Sequence, residues 1–393
     1  VTETEKIIAR VWAETLGLER AGRNEDFFDS GGDSLLGIKA LARLKEHDIR
    51  VSPRMLFVNS RVADLARAVR EPQPDAGKIR IFFVPGLDQS VFDAVHLENN
   101  LPRTVQLHTL LPFDNGGDRF LYTCLDQMAA GYLERIKSIQ PQGPYHFMGY
   151  SWGGKVVVEL VKRLTAQGEQ VSLAALIDSY YFNFNTFTPD EKRFYLATAH
   201  FFKGNYLFSF LGKRHGLELP PGEINTHLLR MKGMDNQEML AYLKASVPMP
   251  QKEETTKQEP GNRIPARALL QYLDTFDDCE IIDRDPLDLD FNAPPMVFFS
   301  ATENNPDSQA MSLFMEESMD LNLYSKIDSK VDSKDLALSA PAPAAISAID
   351  SWALFKNNFE EVKIRAGHRS ILSEPHVKII TDYVTKKLVP NQP

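Results

Sequence analysis

The fold is decided by residues 145–154, which read YHFMGYSWGG. The first of these residues form an apolar run of strand length, and residues 154–167 carry the apolar spacing of a helix. Between them, GYSWG at 149–153 matches G-x-S-x-G, the pattern of a serine on a sharp turn from strand to helix. Such a turn strains the serine backbone and exposes its side chain, while the glycines let strand and helix approach closely. The stretch therefore predicts that Ser151 is a nucleophile; the alternative is a plain Gly/Ser turn.

Apolar runs of strand length alternate with helical patterns on both sides of this turn. Strands are predicted at 81–84, 105–110, 145–149, 173–177, 296–300 and 362–364, and helices at 124–139, 154–167 and 375–387. Because strands alternate with helices, we expect a mostly parallel sheet with helices on both faces. The chain from residue 79 to residue 393 is therefore predicted to be an α/β-hydrolase domain.

Two segments interrupt this alternation. Residues from about 180 to 270 are rich in helical patterns and aromatic side chains, and we expect them to form a helical lid. Most of these aromatics should be core, but a subset including Phe182, Phe184 and Phe187 is expected to line a channel for an apolar substrate. Residues from about 304 to 347 are polar and have an Ala/Pro-rich end, which predicts a poorly ordered insertion.

A serine hydroxyl needs an imidazole base that a carboxylate holds in one tautomer. In an α/β-hydrolase the acid follows the serine along the chain and the histidine comes last. The acid candidate is Asp178, directly after the strand at 173–177, although an N-cap of the first lid helix is the alternative role. Nine histidines compete for the base, and position eliminates most of them. His368 lies between the last strand and the last helix and is the candidate; a surface or capping histidine is the alternative.

An oxyanion hole in this fold combines two backbone N–H groups. One belongs to the residue after the nucleophile, here Trp152. The other comes from the loop after an early strand, which here reads VPGLD at 84–88. We assign the second donor to Leu87, with Asp88 as the fallback, because a loop that contains glycine admits more than one register.

The first 70 residues have a different pattern. Apolar residues recur at helical spacing in 4–16, from Ser34 onward, and in two short pieces at 55–58 and 62–69, which predicts an all-α four-helix bundle over residues 1–70. Residues 71–78 begin with EPQPDAG and have the composition of an interdomain linker.

A serine lies at the start of the second helix of this bundle, in DFFDSGGDSLL at 26–36. A phosphate ester on Ser34 would gain from the positive end of the helix and its free N–H groups. The two glycines allow a tight turn and keep the serine accessible. Local chemistry is equally compatible with Asp33 or Ser34 acting as an ordinary N-cap.

Residues 1–70 resemble a thiolation (peptidyl carrier) domain of nonribosomal peptide synthetases, whose pattern Asp-Phe-Phe-x-x-Gly-Gly-Asp/His-Ser-Leu is met at 26–35. The resemblance implies that a phosphopantetheinyl transferase attaches 4'-phosphopantetheine covalently to Ser34. The thiol of that cofactor would carry an acyl or peptidyl intermediate.

From about residue 79 the chain resembles the type I thioesterase domains that terminate nonribosomal peptide and polyketide synthetases. The resemblance is carried by QPQGPY at 140–145, GYSWGG at 149–154, LID at 176–178 and GH at 367–368. The stretch from 301 to 351 is longer and more polar than the family pattern, and the proposed Ser-Asp-His triad does not depend on it.

The resemblance implies an enzyme that releases an acyl or peptidyl thioester from the carrier through an acyl group on Ser151, by hydrolysis or macrocyclisation. Its implied partners are upstream synthetase modules with condensation and adenylation domains. The alternatives are a non-catalytic docking module and an ordinary serine esterase. A reductive release domain would need a Gly-rich dinucleotide turn after its first strand, and the sequence has none. The residues do not define the acyl chain.

Composition narrows the remaining possibilities. A formal charge of -9 without a long Lys/Arg cluster argues against a nucleic-acid partner. Neither of the two cysteines lies in a CxxC motif or beside a Cys/His cluster, so we expect neither a disulfide framework nor a metal site. A reducing cytoplasm is the compartment that fits this cysteine content best. The sequence contains no run of about 18 apolar residues, so it predicts no membrane-spanning helix.

Overall fold

The computed structural model describes most of the first 181 residues and the segments that complete the sheet. Residues are described at 2–32, 34–49, 51–70, 77–86, 91–112, 121–181, 183, 185, 200–201, 203–204, 207–208, 211, 217, 219–231, 234–247, 273–274, 277, 284–303, 349–352, 355, 359–368 and 370–389. The predicted insertion at 304–347 lies outside them, and so does the predicted linker except for residues 77 and 78.

The described residues divide into two compact units. One unit holds the residues up to 181, those at 284–303 and those from 349 onward. The other unit holds the residues between 183 and 277.

The N-terminal region is helical, as predicted. It consists of α1 (Glu3–Leu16), α2 (Ser34–Glu46), α3 (Pro53–Val58) and α4 (Val62–Arg70). Thr2 caps α1 in a capping box with Glu5, and Ser52 caps α3, so the unpaired N–H groups at both helix starts find acceptors. The apolar faces meet in one core around Trp12 and Phe27, whose rings contact edge to face at 5.6 Å.

The sheet that follows has six strands, all parallel, in the order β2-β1-β3-β4-β5-β6. The strands are β1 (Ile79–Val84), β2 (Val105–Thr109), β3 (Tyr145–Tyr150), β4 (Val171–Ile177), β5 (Met296–Ala301) and β6 (Phe359–Ile364). All six overlap predicted strands, although β6 begins three residues before its predicted start at 362. Because every strand is parallel, their carboxyl ends lie at one edge of the sheet, where a ligand site is expected in such folds.

Helices cover both faces of this sheet, which explains why its central strands read as continuous apolar runs. The helices whose bounds are described after the bundle are α5 (Val91–Asn100), α6 (Leu125–Ile139), α7 (Trp152–Ala166), α8 (Pro221–Met231), α9 (Asn236–Ser246) and α10 (His376–Leu388), with a 3-10 turn at Asp350–Trp352. On one face, Leu97 of α5 and Ile380 of α10 share a core with Met148 and Tyr150 of β3. Helix α7 packs on the other face, and the bundle helices α2 and α3 contact α5.

Two helix predictions need correction. Helix α7 begins at Trp152, two residues before the predicted start, because Gly153 and Gly154 lie inside its first turn. Glycine is unfavourable within helices, so the pattern placed the start after both glycines. Helix α5 was not predicted at all: its segment has a weak apolar stripe and ends in polar residues, and the sheet packing of Ala94 and Leu97 stabilises it instead.

The described residues of the second unit have their own core, in which α8 and α9 take part through Leu228, Leu240 and Leu243. The ammonium group of Lys203 is almost fully buried and donates to both carboxylate oxygens of Asp277, at 2.6 and 2.8 Å. The helix-rich character predicted for this region is therefore confirmed for the part that is described. Phe182, Phe184 and Phe187 lie outside the described residues.

Within the described ranges, no helix is both long enough and apolar enough to cross a membrane.

Candidate active site

Ser151 lies at the turn between β3 and α7, where the motif places it. Its backbone has φ 52° and ψ -123°, a conformation that residues with a side chain rarely adopt. Such strain costs about 1–3 kcal/mol and persists only where the surroundings impose it. Here the Ser151 N–H donates to the carbonyl of Ile177 at 2.9 Å, and the Ser151 carbonyl accepts from the Gly154 N–H at 3.1 Å. The serine is thus held at the carboxyl edge of the sheet by both neighbouring elements.

The glycines on either side of the serine are required by close packing. A Cβ on Gly149 would lie 2.6 Å from the carbonyl oxygen of Gly153. A Cβ on Gly153 would collide with the carbonyl oxygens of Val84, the last residue of the neighbouring strand β1, and of Pro85, which follows it. The turn can therefore be this sharp only because both positions lack a side chain.

Asp178 follows β4 directly and is almost completely buried, with a φ of 41°. Its N–H donates to the Phe299 carbonyl at 2.7 Å, and its Oδ1 accepts from the Ala301 N–H at 3.0 Å. Both partners belong to β5, so the neighbouring strand fixes the backbone and the carboxylate together. A buried carboxylate held in this way has one oxygen left to accept another donor.

His368 lies between β6 and α10 and provides that donor. Its Nδ1 is 2.7 Å from Oδ2 of Asp178, and its Nε2 is 3.0 Å from Oγ of Ser151. A carboxylate can only accept, so the Nδ1 of a neutral imidazole must carry the proton and its Nε2 must be the acceptor. In this tautomer the imidazole can take the proton of the serine hydroxyl. The structure thus brings together the three residues proposed from the sequence.

A short turn holds the segment that carries this histidine. The Gly367 N–H donates to Oγ of Ser370 at 3.0 Å, and the N–H groups of Ser370 and Ile371 both donate to the Gly367 carbonyl at 3.0 Å. Ile371 is fully buried in the sheet core. The turn is therefore anchored on both sides of the imidazole.

Two further aromatic residues lie near the triad: Tyr180, which the sequence predicted to lie in the lid, and Trp352, for which the sequence predicted no role. Tyr180 contacts the imidazole of His368 at a centroid distance of 5.9 Å and an angle of 65°. Burial, followed by the negative charge of Asp178, raises the pKa of Tyr180, so this phenol stays neutral. Trp352 is fully buried and donates from Nε1 to the Ser179 carbonyl at 2.9 Å, which supports the segment after the aspartate.

One of the two predicted oxyanion donors can be located. Trp152 is the first residue of α7, and the first N–H groups of a helix have no acceptor within it. Leu87 and the fallback Asp88 lie outside the described residues, so the second donor stays a prediction. The loop leading to them starts at Pro85 and Gly86, and a Cβ on Gly86 would lie 3.3 Å from the ring of Tyr150.

Ser34 is the first residue of α2, as expected from its motif. In the turn before it, Gly31 has a φ of 97°, and a Cβ on Gly32 would collide with Phe27. Asp26 accepts from the N–H groups of Phe28 and Asp29 and from the Ser60 hydroxyl at 2.9, 3.2 and 2.6 Å. The start of α2 is therefore preceded by a closely defined turn.

The pKa of Asp26 is lowered, although its partial burial alone would raise it. The hydrogen bonds from the Ser60 hydroxyl and from the N–H groups of Asp29 and Phe28 outweigh the burial. Asp26 therefore fixes this turn as a charged carboxylate.

In the described part of the chain, no group of three His, Cys, Asp or Glu residues is placed to hold a metal ion.

Two family models match the chain. Residues 6–69 match the phosphopantetheine attachment site family, and residues 82–193 match the thioesterase domain family. The chain is 33% identical over 208 residues to a malpinin synthetase of Mortierella alpina, which aligns 48% of this chain with 3% of that protein. It is 32% identical over 211 residues to a dimodular nonribosomal peptide synthase of Bacillus subtilis, which aligns 50% of this chain with 9% of that protein.

The chain thus spans less than a tenth of the length of these two relatives. A crystal structure of a holo four-domain nonribosomal peptide synthetase, bound to AMP and glycine, is similar to it with a TM-score of 0.51 and 18% identity. That likeness covers 99% of this chain and 26% of the other, and supports the fold.

The hydrogen bond between Asp178 and His368 makes a direct prediction. In Asp178→Asn the amide can donate to the imidazole, which favours the wrong tautomer, so labelling of Ser151 by a serine-directed fluorophosphonate should slow on the order of 10⁴-fold. Asp285→Asn is the matched control, because Asp285 also accepts from a backbone N–H, that of Leu125 at 2.7 Å, outside this site. Labelling of Asp178→Asn within a few-fold of the control would contradict the assignment.

Proposed function

Because the chain joins a phosphopantetheine attachment domain at residues 6–69 to a thioesterase domain that includes residues 82–193, we propose that it releases an acyl or peptidyl chain from its own carrier. Ser151, His368 and Asp178 form the catalytic triad of this release. The observation that supports the triad is the imidazole of His368, which bridges the Asp178 carboxylate at 2.7 Å and the Ser151 hydroxyl at 3.0 Å.

The first half of the proposed reaction transfers the acyl group to the enzyme. Oγ of Ser151 attacks the thioester carbonyl while Nε2 of His368 takes the hydroxyl proton. The carbon–sulfur bond then breaks, and the imidazolium returns the proton to the departing thiolate. Asp178 remains a carboxylate and stabilises the imidazolium, because its Oδ2 faces the protonated Nδ1.

The second half frees the product and restores the serine. His368 takes a proton from water, or from an amine or hydroxyl within the acyl chain, as that nucleophile attacks the ester on Ser151. The ester bond to Oγ breaks and the imidazolium gives its proton to Oγ. Water yields a free acid and an internal nucleophile yields a ring, and the choice depends on which of them reaches the ester.

Negative charge that develops on the carbonyl oxygen needs donors in both halves. We assign them to the backbone N–H of Trp152 at the start of α7 and to that of Leu87. The helix start also favours negative charge through the alignment of its peptide dipoles. Loss of one such donor typically raises the barrier by about 3 kcal/mol.

Ser34 is the residue to which we assign the 4'-phosphopantetheine. The local chemistry fits a phosphate ester, because Ser34 opens a helix of 13 residues whose first turn has no acidic residue. When attached, the cofactor supplies a thiol on a flexible arm that carries the acyl group as a thioester. A phosphopantetheinyl transferase and upstream condensation and adenylation modules are the partners that this role requires, and a cytoplasmic location is part of the same proposal.

Residues between about 180 and 270 are proposed to serve as the lid over the acyl group. The aromatic residues Phe182, Phe184 and Phe187 would line its channel and keep water from the ester, which would favour an internal nucleophile. We assign these roles from the sequence.

The carrier assignment predicts the site of modification. A phosphopantetheinyl transferase supplied with coenzyme A should add one cofactor mass to the wild-type chain and none to Ser34→Ala, because only Ser34 opens a helix behind the glycine turn. Ser30→Ala is the matched control: its hydroxyl lies four residues away and donates to Glu25 at 3.1 Å. Intact mass spectrometry measures the outcome, and full modification of Ser34→Ala would refute the assignment.

The triad assignment predicts the fate of a loaded chain. When the carrier is loaded with an acyl group, wild-type protein should release it, whereas Ser151→Ala should keep it on Ser34, because the nucleophile is lost without a large cavity. Ser138→Ala is the control, since its exposed hydroxyl donates to the Arg135 carbonyl of its own helix, away from the triad. Release by Ser151→Ala at the wild-type rate would require a different active site.

A further inference from the structure

We propose that Tyr150 is a positioning residue for His368: its hydroxyl holds the backbone of the histidine, and its ring supports the imidazole face to face. This inference rests on the proposed function, because it assigns a role to a residue that acts through the proposed base. Tyr150 is the first of the two variable positions in the G-x-S-x-G pattern, directly before Ser151. The pattern assigns no function to this position.

Two contacts carry the inference. The phenol hydroxyl of Tyr150 donates to the carbonyl oxygen of His368 at 2.8 Å. The two rings stack with their centroids 5.1 Å apart and an angle of 25° between their planes. One side chain therefore fixes both the backbone position and the ring plane of the same histidine.

The sheet explains why this tyrosine can do so. Tyr150 ends β3, and its side chain shares the core on the α5 and α10 face with Ala366 and Ile371. These two residues flank the histidine turn, so the tyrosine reaches the turn from the buried side. Only 6% of Tyr150 is exposed, which leaves its ring little freedom to move away from the imidazole.

The stacked ring should also favour the charged form of the imidazole. The face of an aromatic ring is electronegative and attracts a cation placed over it. In the proposed reaction, His368 gains its positive charge when it takes a proton from Ser151 or from the second nucleophile. The contact is therefore stronger during the reaction than before it, which is the condition for lowering a barrier.

Among the described residues, three other groups contact the imidazole. Asp178 lies at Nδ1 and Ser151 at Nε2, while Tyr180 makes the second aromatic contact. The carboxylate of Asp178 also stabilises the imidazolium, because its Oδ2 lies 2.7 Å from Nδ1. Tyr150 acts in addition to it, from a face of the ring, whereas the carboxylate lies at the Nδ1 edge.

The hydroxyl and the ring can be separated by two variants. Tyr150→Phe removes the hydrogen bond to the His368 carbonyl and keeps the ring. Tyr150→Met removes the ring as well and still fills part of its volume. Tyr145→Phe is the matched control, because Tyr145 opens the same strand and donates to a backbone carbonyl, that of Gln140, at 3.2 Å.

The experiment measures the rate of Ser151 inactivation by a fluorophosphonate across pH. The base must be neutral, so the labelling rate of the wild-type chain should rise with pH and reach a plateau. Tyr150→Phe should keep the midpoint and lower the plateau by about threefold to tenfold. Tyr150→Met should lower the plateau at least as much and move the midpoint down by roughly 0.4 to 1.5 pH units, because the imidazolium loses its aromatic support.

The outcomes distinguish failure of the positioning role of Tyr150 from failure of the proposed function. A wild-type midpoint and plateau in both Tyr150 variants, with Ser151 labelled normally, would overturn the positioning role and leave the proposed function intact. Failure to label Ser151 in the wild-type chain would overturn both. If Tyr150→Met does not fold, as judged by circular dichroism, Tyr150→Phe decides: a plateau below that of Tyr145→Phe supports the role, and equal plateaus refute it.

Discussion

The structure of the candidate site depends on the hydrogen bond between Asp178 and His368. It joins a buried carboxylate after β4 to an imidazole after β6, two residues that are 190 positions apart in the chain. A buried carboxylate is costly unless its oxygens are satisfied, and here the histidine and the Ala301 N–H satisfy one oxygen each. The same bond sets the tautomer of the imidazole and thereby directs its free nitrogen at Ser151.

The parallel sheet makes this meeting possible. Strands β3, β4 and β6 end at the same edge, so residues in the segments that follow them come close in space although they are distant in sequence. Both Ser151 and Asp178 leave their strands with a positive φ, at 52° and 41°. Their backbone N–H groups donate to neighbouring strands, at Ile177 and Phe299, and these bonds help to offset the strain.

Much of this arrangement could be predicted from the sequence, because chain order and strand ends carry strong signals. Ser151, Asp178 and His368 each come after a predicted strand, and the structure places His368 within hydrogen-bond distance of both others. Their catalytic role stays a prediction. The predicted start of α7 was wrong because its first turn contains Gly153 and Gly154, where a side chain would collide with neighbouring residues. The contact of Tyr150 with His368 could not be predicted, since it depends on which sheet face β3 presents to a turn more than 200 residues away.

The central claim is that an acyl group passes from the carrier at Ser34 to the nucleophile Ser151 of the same chain. The most direct measurement loads the wild-type carrier from an acyl coenzyme A, quenches the reaction with acid at successive short times, and locates the acyl mass by peptide mass spectrometry. The account predicts that this mass leaves the peptide that contains Ser34, appears on the peptide that contains Ser151, and then disappears as product is released. Product formation with no acyl mass ever on the Ser151 peptide, or with that mass on a different residue, would contradict it.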